Sequence, residues 1–253
     1  MLRKSLVASL FFALLLAVSA VPGFAYSKDF DQTYPLQPGG SFELQNVNGP
    51  VEVQGWEKDA VEVRAVKTAK RNVSDLERVT IEVAATPKSI SVSTHYPQDE
   101  GVEVAVEYVI HVPYTAHIEH VGTVNGSVKV AGIPAVDDLH TVNGNIEVFD
   151  GGGGVHAHTT NGNVHLELAH FNGGAGAFAE TTNGSLLVAL PADTQADIET
   201  RCLNGNFLSE MPITLESTLK PREMHGRFGK GGSPIKLRTI NGGIRIVTLQ
   251  ATV

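Results

Sequence analysis

The chain has 253 residues, which is enough for one large β domain or two ordinary domains. Apolar residues make up 42% and charged residues 18%, a composition that supports a hydrophobic core and excludes wholesale disorder. The formal net charge of −8 argues against nucleic acid as a partner, and the single cysteine excludes a disulfide framework and a multi-cysteine metal site.

Residues 1–25 have the order of a secretory signal peptide. Two basic residues precede an apolar run over 5–20, and small residues stand at Gly23 and Ala25. We expect cleavage after Ala25, with Ala20 as a second site, and export to the periplasm or the cell surface of a bacterium. The alternative is an uncleaved membrane anchor, but the apolar run is shorter than the roughly 20 residues that a spanning helix needs. The sequence predicts no transmembrane segment after cleavage.

Residues 26–115 are predicted to form a more sheet-like N-terminal β region. Apolar and polar residues alternate in several runs between 60 and 112, which is typical of strands with one buried face. This region also contains the first of a series of Asn-Gly motifs, at Asn48. The rest of the chain, 116–253, is predicted to be a β-strand repeat region.

The dipeptide Asn-Gly, a strong turn signal, recurs along the chain and marks the repeats. The chain has eight such pairs, and seven of them share their flanking residues. The seven predicted repeat turns are Asn48, Asn125, Asn143, Asn161, Asn183, Asn204 and Asn241. Threonine stands two residues before most of them, and apolar residues stand three and five residues after. Because this alternation has a period of two, each motif predicts a turn followed by a half-buried strand.

Two all-β architectures satisfy this pattern. In a β-solenoid, or β-helix-like stack, each repeat is one coil and equivalent asparagines form a ladder. In an antiparallel meander, the Asn-Gly pairs are hairpin turns. The short spacing and the matching columns favour the solenoid, since stacking rewards identical residues at identical places. We attribute the choice of Asn and Gly to their tolerance of positive φ.

Cys202 stands at the position where five of the seven repeats carry threonine. A lone thiol in an oxidising compartment could be reactive, but we interpret it as a small buried side chain.

The repeats resemble the bacterial secreted β-strand-repeat proteins known as the "putative adhesin" family, a domain of unknown function. The resemblance covers about residues 40–250. It rests on the segment Tyr108–Pro113 leading into a Thr-x-Asn-Gly unit, on the later Thr-x-Asn-Gly units, and on the closing segment 229–242. It implies a solenoid-like fold, an exported location and no established catalytic residues.

Histidines cluster in the repeat region. In a stack, His156 and His158 point the same way on one strand, and His140 lies on the neighbouring coil beside His158. Imidazoles one strand spacing apart can share a metal ion, so these three residues are candidate metal ligands. The alternative is a solvated polar face that happens to use histidine. We therefore predict no metal site and no cofactor.

The C-terminal part of the chain is locally basic. Residues 220–245 contain seven Lys or Arg residues against one Glu. Such a segment could bind an anionic envelope polymer or another envelope protein, with Arg227, Lys230, Lys236 and Arg238 as the candidate contacts. The alternative is that Lys236 and Arg238 balance acidic residues on adjacent coils, such as Glu180 and Glu199.

Catalytic motifs are absent from the sequence. It contains neither a nucleophile elbow nor a phosphate-binding loop. Solenoids that cleave polysaccharides use acids and bases on one exposed face, and the candidates for such a site are Lys129, Glu147, His165 and Glu167.

We therefore expect an exported, non-enzymatic envelope protein with an adhesin-like recognition or scaffolding surface. A polysaccharide-active enzyme and a metal-binding envelope protein are the alternatives.

Overall fold

The computed structural model describes residues 26–98, 101–171, 175–216 and 222–249, and this part of the chain is all-β apart from one short helix, α1 (Asp75–Arg78). The predicted signal peptide lies outside the described residues. No helix in these ranges is long and apolar enough to cross a membrane.

The strands follow the alternating pattern of the sequence. The first are β1 (Tyr26–Pro35), β2 (Ser41–Gln45), β3 (Val51–Trp56), β4 (Ala60–Ala69), β5 (Thr80–Ala85), β6 (Ser89–His95), β7 (Val104–Pro113), β8 (His117–Asn125), β9 (Val128–Ala131), β10 (Ala135–Asn143) and β11 (Ile146–Phe149). The others are β12 (His156–Asn161), β13 (Val164–Glu167), β14 (Ala177–Asn183), β15 (Leu186–Leu190), β16 (Ala196–Asn204), β17 (Phe207–Ser209), β18 (Thr214–Leu215), β19 (Glu223–Phe228), β20 (Ser233–Asn241) and β21 (Ile244–Thr248).

Two large mixed sheets, both open, contain all of these strands. The first sheet has 10 strands in the order β1-β4-β7-β3-β9-β11-β13-β15-β21-β17. The second sheet has 11 strands in the order β18-β19-β16-β20-β14-β12-β10-β8-β2-β6-β5. Both sheets contain strands from either side of residue 115, where the sequence predicts a boundary between two regions.

The chain crosses from the second sheet to the first at each repeat Asn-Gly. Strands of successive repeats pair in parallel and in register, as in β8-β10-β12-β14 of the second sheet and β9-β11-β13-β15 of the first. The antiparallel meander is therefore wrong for the repeat region. Antiparallel pairs lie at the ends of the sheets, where β1, β4 and β7 extend the first sheet and β18 and β19 extend the second.

The final repeat departs from chain order. Strand β20 lies between β14 and β16, and β21 lies between β15 and β17. The last two strands that the structure describes are thus inserted between the two preceding repeats.

The core lies between the two sheets and consists of the inward side chains of each repeat. Val128, Ile146, Val164 and Leu186 are at most 1% exposed and stack on one another through the register of the first sheet. Burial of each such aliphatic side chain stabilises the fold by about 1.5–3 kcal/mol. Repeats of this kind bury their apolar face only by stacking on their neighbours.

All seven predicted turn asparagines form one ladder. Six of them each donate a hydrogen bond from Nδ2 to the Oδ1 of the asparagine that precedes it in the ladder, at 2.8–2.9 Å. The order along the ladder is Asn48, Asn125, Asn143, Asn161, Asn183, Asn241 and Asn204. The ladder follows the order of the strands, so it holds neighbouring repeats in register at the edge where the sheets meet.

Our explanation of the Asn-Gly pairs by positive φ is wrong for most of the ladder. None of the seven asparagines has positive φ, and of their glycines only Gly49 and Gly242 do. The other glycines are needed because the neighbouring backbone comes too close for a side chain. A Cβ on Gly144, for example, would lie 2.0 Å from the carbonyl oxygen of Gly126.

Threonines two residues before the ladder form a second, buried column. Each Oγ1 donates to the carbonyl of a glycine on the neighbouring repeat, as Thr141 does to Gly126 at 2.8 Å and Thr159 to Gly144 at 2.9 Å. Thr123, Thr181 and Thr239 make the same contact. These hydrogen bonds give the carbonyl groups of the turn glycines a partner within the stack, namely the threonine hydroxyls.

Cys202 occupies the threonine position of its repeat. Its side chain is 7% exposed, and its Sγ lies 3.1 Å from the Gly242 carbonyl oxygen, as the threonine hydroxyls do elsewhere. Burial raises the pKa of the Cys202 thiol, which keeps it protonated. The interpretation as a small buried side chain agrees with this placement.

Replacement of Cys202 by threonine should stabilise the fold. A hydroxyl is a stronger donor than a thiol, so we expect Cys202→Thr to raise the free energy of unfolding by about 0.5–1 kcal/mol. Cys202→Ala, which removes the donor, should lower it by a similar amount. Urea unfolding of the two variants measures both changes, and a Cys202→Thr protein less stable than Cys202→Ala contradicts this role.

Candidate recognition surface

The outer face of the second sheet carries two rows of side chains, five and three residues before the ladder asparagines. In strand order from β8 to β16, the first row is His120, Asp138, His156, Phe178, Lys236 and Glu199. The second row is Gly122, His140, His158, Glu180, Arg238 and Arg201. Alternate residues of a strand share a face, so both rows point away from the core.

At the β8 end of this face, histidines pair with carboxylates. His120 Nδ1 lies 2.6 Å from Asp138 Oδ2, and His117 Nε2 lies 2.9 Å from Asp137 Oδ1. The hydrogen bond to His120 lowers the pKa of Asp138. Each of these two histidines of β8 is therefore paired with a carboxylate of β10.

The three metal candidates are neighbours, but their rings do not converge on one point. The rings of His140 and His158 stack in parallel, 5.4 Å apart with an interplanar angle of 3°. In-plane lone pairs on parallel stacked rings do not meet at one ion. The ring of His156 instead packs on Phe178 at 4.3 Å. Among the residues described by the structure, no group of three His, Cys, Asp or Glu is placed to hold a metal ion.

Burial lowers the pKa of His140, and the neighbouring His158 adds to the same effect. The neutral form of His140 is therefore favoured.

A groove of about 370 Å³ crosses this face over β10, β12, β14 and β20. Phe178 is half-buried at its centre, between His156 and Lys236, whose Nζ lies 5.8 Å from the ring centroid. Asp138, Glu180 and Arg238 also line the groove. A second groove of about 230 Å³ adjoins it and shares Glu180 and Arg238. The surface therefore offers an aromatic face beside both acceptor-only and donor-only groups.

The basic candidates lie at the β19–β20 end of the second sheet. Lys236 and Arg238 both contact Glu199, at 3.9 and 3.3 Å, and Arg227 contacts Glu216 at 3.4 Å. Arg238 also lies opposite Glu180 on the neighbouring strand. Lys230 follows β19 in an exposed turn. The structure therefore contains the charge balance that the sequence offered as the alternative for Lys236 and Arg238.

The candidates for a polysaccharide-cleaving site share the outer face of the first sheet. Lys129, Glu147 and His165 are neighbours in register on β9, β11 and β13. His165 Nε2 lies 3.2 Å from Glu167 Oε1. Lys129 Nζ donates to Glu52 at 2.8 Å, and this bond lowers the pKa of Glu52 and raises that of Lys129.

Phe178 was not predicted from the sequence as a site residue, and Glu180 was named there only as a charge that balances Lys236 and Arg238. Phe178 is the aromatic member of a row that is otherwise polar, and Glu180 stands beside it in the second row. The row of residues five before each asparagine contained that signal, because an aromatic side chain at an outward position on a polar face needs a reason.

Comparison with known proteins gives fold relatives alone. No protein-family model matches the chain, and no curated protein matches it. A solved putative cell adhesion protein from Clostridium sporogenes ATCC 15579 is similar to this chain, with 14% identity, a TM-score of 0.55, and coverage of 88% of this chain and 100% of that one.

Two further solved structures match with lower scores. A putative adhesin from Bacteroides fragilis NCTC 9343 has 12% identity, a TM-score of 0.33 and coverage of 88% and 97% of the two chains. A putative adhesin from Parabacteroides merdae ATCC 43184 has 9% identity, a TM-score of 0.26 and the same coverage. The resemblance drawn from the repeat motifs is confirmed at the level of the fold by the Clostridium structure.

Proposed function

We propose that this protein is an exported, non-enzymatic recognition or scaffolding protein of the bacterial cell envelope, in the periplasm or at the cell surface. The stack of repeats serves as a β-solenoid whose outward rows form the recognition surface. The continuous asparagine ladder is the observation that carries this proposal, since it keeps the outward rows in fixed register.

The difference between the corner residues and the outward residues of each repeat supports this role. Corner residues recur from repeat to repeat, whereas the outward positions of the two rows carry imidazole, carboxylate, phenyl, ammonium and guanidinium groups. A rigid support with varied outward side chains binds a partner by complementarity and loses little conformational entropy on binding. The solved Clostridium protein with this fold is named a putative cell adhesion protein, which agrees with such a role.

The partner that we propose is an anionic envelope polymer or another envelope protein. Arg227, Lys230, Lys236 and Arg238 lie at one end of the second sheet in a chain whose net charge is −8. A local basic area on an acidic protein steers an anionic partner to that area. The overall negative charge argues against nucleic acid.

Calorimetry of the purified protein with envelope polymers, in low and high salt, tests the proposal. We expect saturable, salt-sensitive binding that weakens at least tenfold in an Arg227→Ala/Lys230→Ala/Arg238→Ala variant. The matched control is Lys58→Ala/Arg64→Ala/Arg71→Ala, which removes the same charge from exposed positions in the N-terminal region. Equal losses in both variants would show a general charge effect, and no binding by the wild type would leave the recognition role without support.

The same preparations distinguish the two alternatives. Cleavage of envelope glycans that is lost in Glu147→Gln or Glu167→Gln would replace the proposal by a polysaccharide-active enzyme. Saturable zinc or copper binding that is lost in His156→Ala/His158→Ala would indicate a metal-binding protein.

A further inference from the structure

We propose that the groove centred on Phe178 is a binding site for a glycan chain bearing carboxylate groups, such as an oligomer of uronic acids. This inference rests on the proposed function and gives it a ligand class and a location. The site extends over five adjacent strands of the second sheet, from β10 to β16.

The aromatic ring supplies the first part of the argument. A sugar ring presents a face of C–H groups that packs on an aromatic ring, and Phe178 is a half-buried aromatic side chain on the outer face. The ring of His156 packs against it, with the two ring centroids 4.3 Å apart. Phe178 has no role in the core, because Ala177 and Ala179 are the residues of this segment that point inward.

The polar groups around the ring supply the second part. The carboxylates of Asp138 and Glu180 accept hydrogen bonds and therefore suit sugar hydroxyls. Lys236 and Arg238 only donate, so they suit a sugar carboxylate. Glu199 holds both cations from the next strand, β16, and engages Arg238 through one nitrogen at 3.3 Å. The guanidinium has five donors, which leaves others for a ligand.

The dimensions supply the third part. The two adjoining grooves share Glu180 and Arg238, and together they extend from Asp138 on β10 to Leu203 on β16. Five strands at a spacing of about 4.8 Å cover about 19 Å. A surface of that length, open along its course, suits several linked sugar residues and not a single one.

The test is calorimetric binding of tetrameric oligomers of galacturonic, glucuronic and mannuronic acid, with their methyl esters as neutral counterparts. We expect saturable binding of at least one acid, with monosaccharide and methyl ester at least tenfold weaker. Phe178→Thr should weaken binding of the acid at least tenfold. Arg238→Gln should weaken binding of the acid but leave binding of the methyl ester unchanged.

Phe149→Thr is the matched control. Phe149 is a half-buried aromatic residue on the outer face of the first sheet, with His165 at 5.3 Å and Lys129 at 6.0 Å from its ring. It repeats the surroundings of Phe178 outside the groove, so its loss should leave binding unchanged. Thermal unfolding of each variant confirms that the fold is retained.

The outcomes separate this inference from the proposed function. If the wild type binds none of these acids, or if Phe149→Thr weakens binding as much as Phe178→Thr, the glycan site is wrong. If envelope polymers still bind the wild type and Phe178→Thr equally, the proposed glycan site is wrong but the proposed recognition function is not contradicted. Equal affinity for acid and methyl ester overturns the assignment of the sugar carboxylate to Lys236 and Arg238.

Discussion

Replacement of Gly162 by alanine is expected to lower the free energy of unfolding by about 3 kcal/mol. A Cβ at this position would lie 1.9 Å from the carbonyl oxygen and 2.5 Å from the carbonyl carbon of Gly144. Both atoms belong to backbone that is held by the ladders, so neither can move without breaking the register. Gly162 does not have positive φ, which makes the cost steric and not conformational.

Gly243→Ser is the control for this prediction. Gly243 follows a ladder glycine, and the equivalent position in two other repeats is Ser127 or Ser185. A Cβ on Gly243 meets only the Asn206 carbonyl oxygen, at 3.4 Å. We expect a change within about 0.5 kcal/mol. Urea unfolding compares the two variants, and a Gly162→Ala protein as stable as the wild type would disprove the close approach of the backbones.

The ladder could be predicted from the sequence because stacking makes equivalent residues meet. Seven asparagines with common flanks were identified, and the structure brings all seven into one row. The inward and outward positions of the strands were also predictable, since alternation with a period of two follows from the geometry of a strand. The physical reason for glycine in the ladder was not predictable. It is the close approach of neighbouring backbones, which depends on the spacing between repeats and cannot be read from the sequence of one repeat.

The order of the last repeats could not be predicted. Columns of matching residues are the same whichever repeats are neighbours, so the 37-residue spacing from Asn204 to Asn241 does not reveal that β20 enters between β14 and β16. This order determines the candidate site. It places Lys236 beside Phe178, where an arrangement in chain order would have placed Glu199.

The candidate site was predicted in part. His140 and His158 were expected to be neighbours, and they are, but the parallel stacking of their rings depends on side-chain packing that no spacing specifies. The charge balance of Lys236 and Arg238 with Glu199 was recognised as an alternative. Phe178 was missed because it is a single aromatic ring in an otherwise polar row, and the spacing that predicts the row does not show which strand borders it.

Replacement of Thr159 by valine is expected to lower the free energy of unfolding by about 2 kcal/mol. The two side chains have nearly the same shape, so the core keeps its volume. Thr159 is 0% exposed, and its hydroxyl donates to the Gly144 carbonyl oxygen at 2.9 Å. Valine leaves the carbonyl of the half-buried Gly144 without its donor, and the loss of one partner costs more than the bond itself contributes.

Two variants on the same strand distinguish this hydrogen bond from a general effect of the substitution. Thr160→Val makes the same change at a half-buried residue on the opposite face of β12, and we expect it to alter stability by less than about 0.5 kcal/mol. Thr159→Ser keeps the hydroxyl and removes one methyl group, which costs about 0.8 kcal/mol. Urea unfolding should therefore rank Thr159→Val as the least stable of the three. If Thr159→Ser is less stable than Thr159→Val, packing and not the hydrogen bond explains the threonine column, and the Cys202→Thr prediction fails with it.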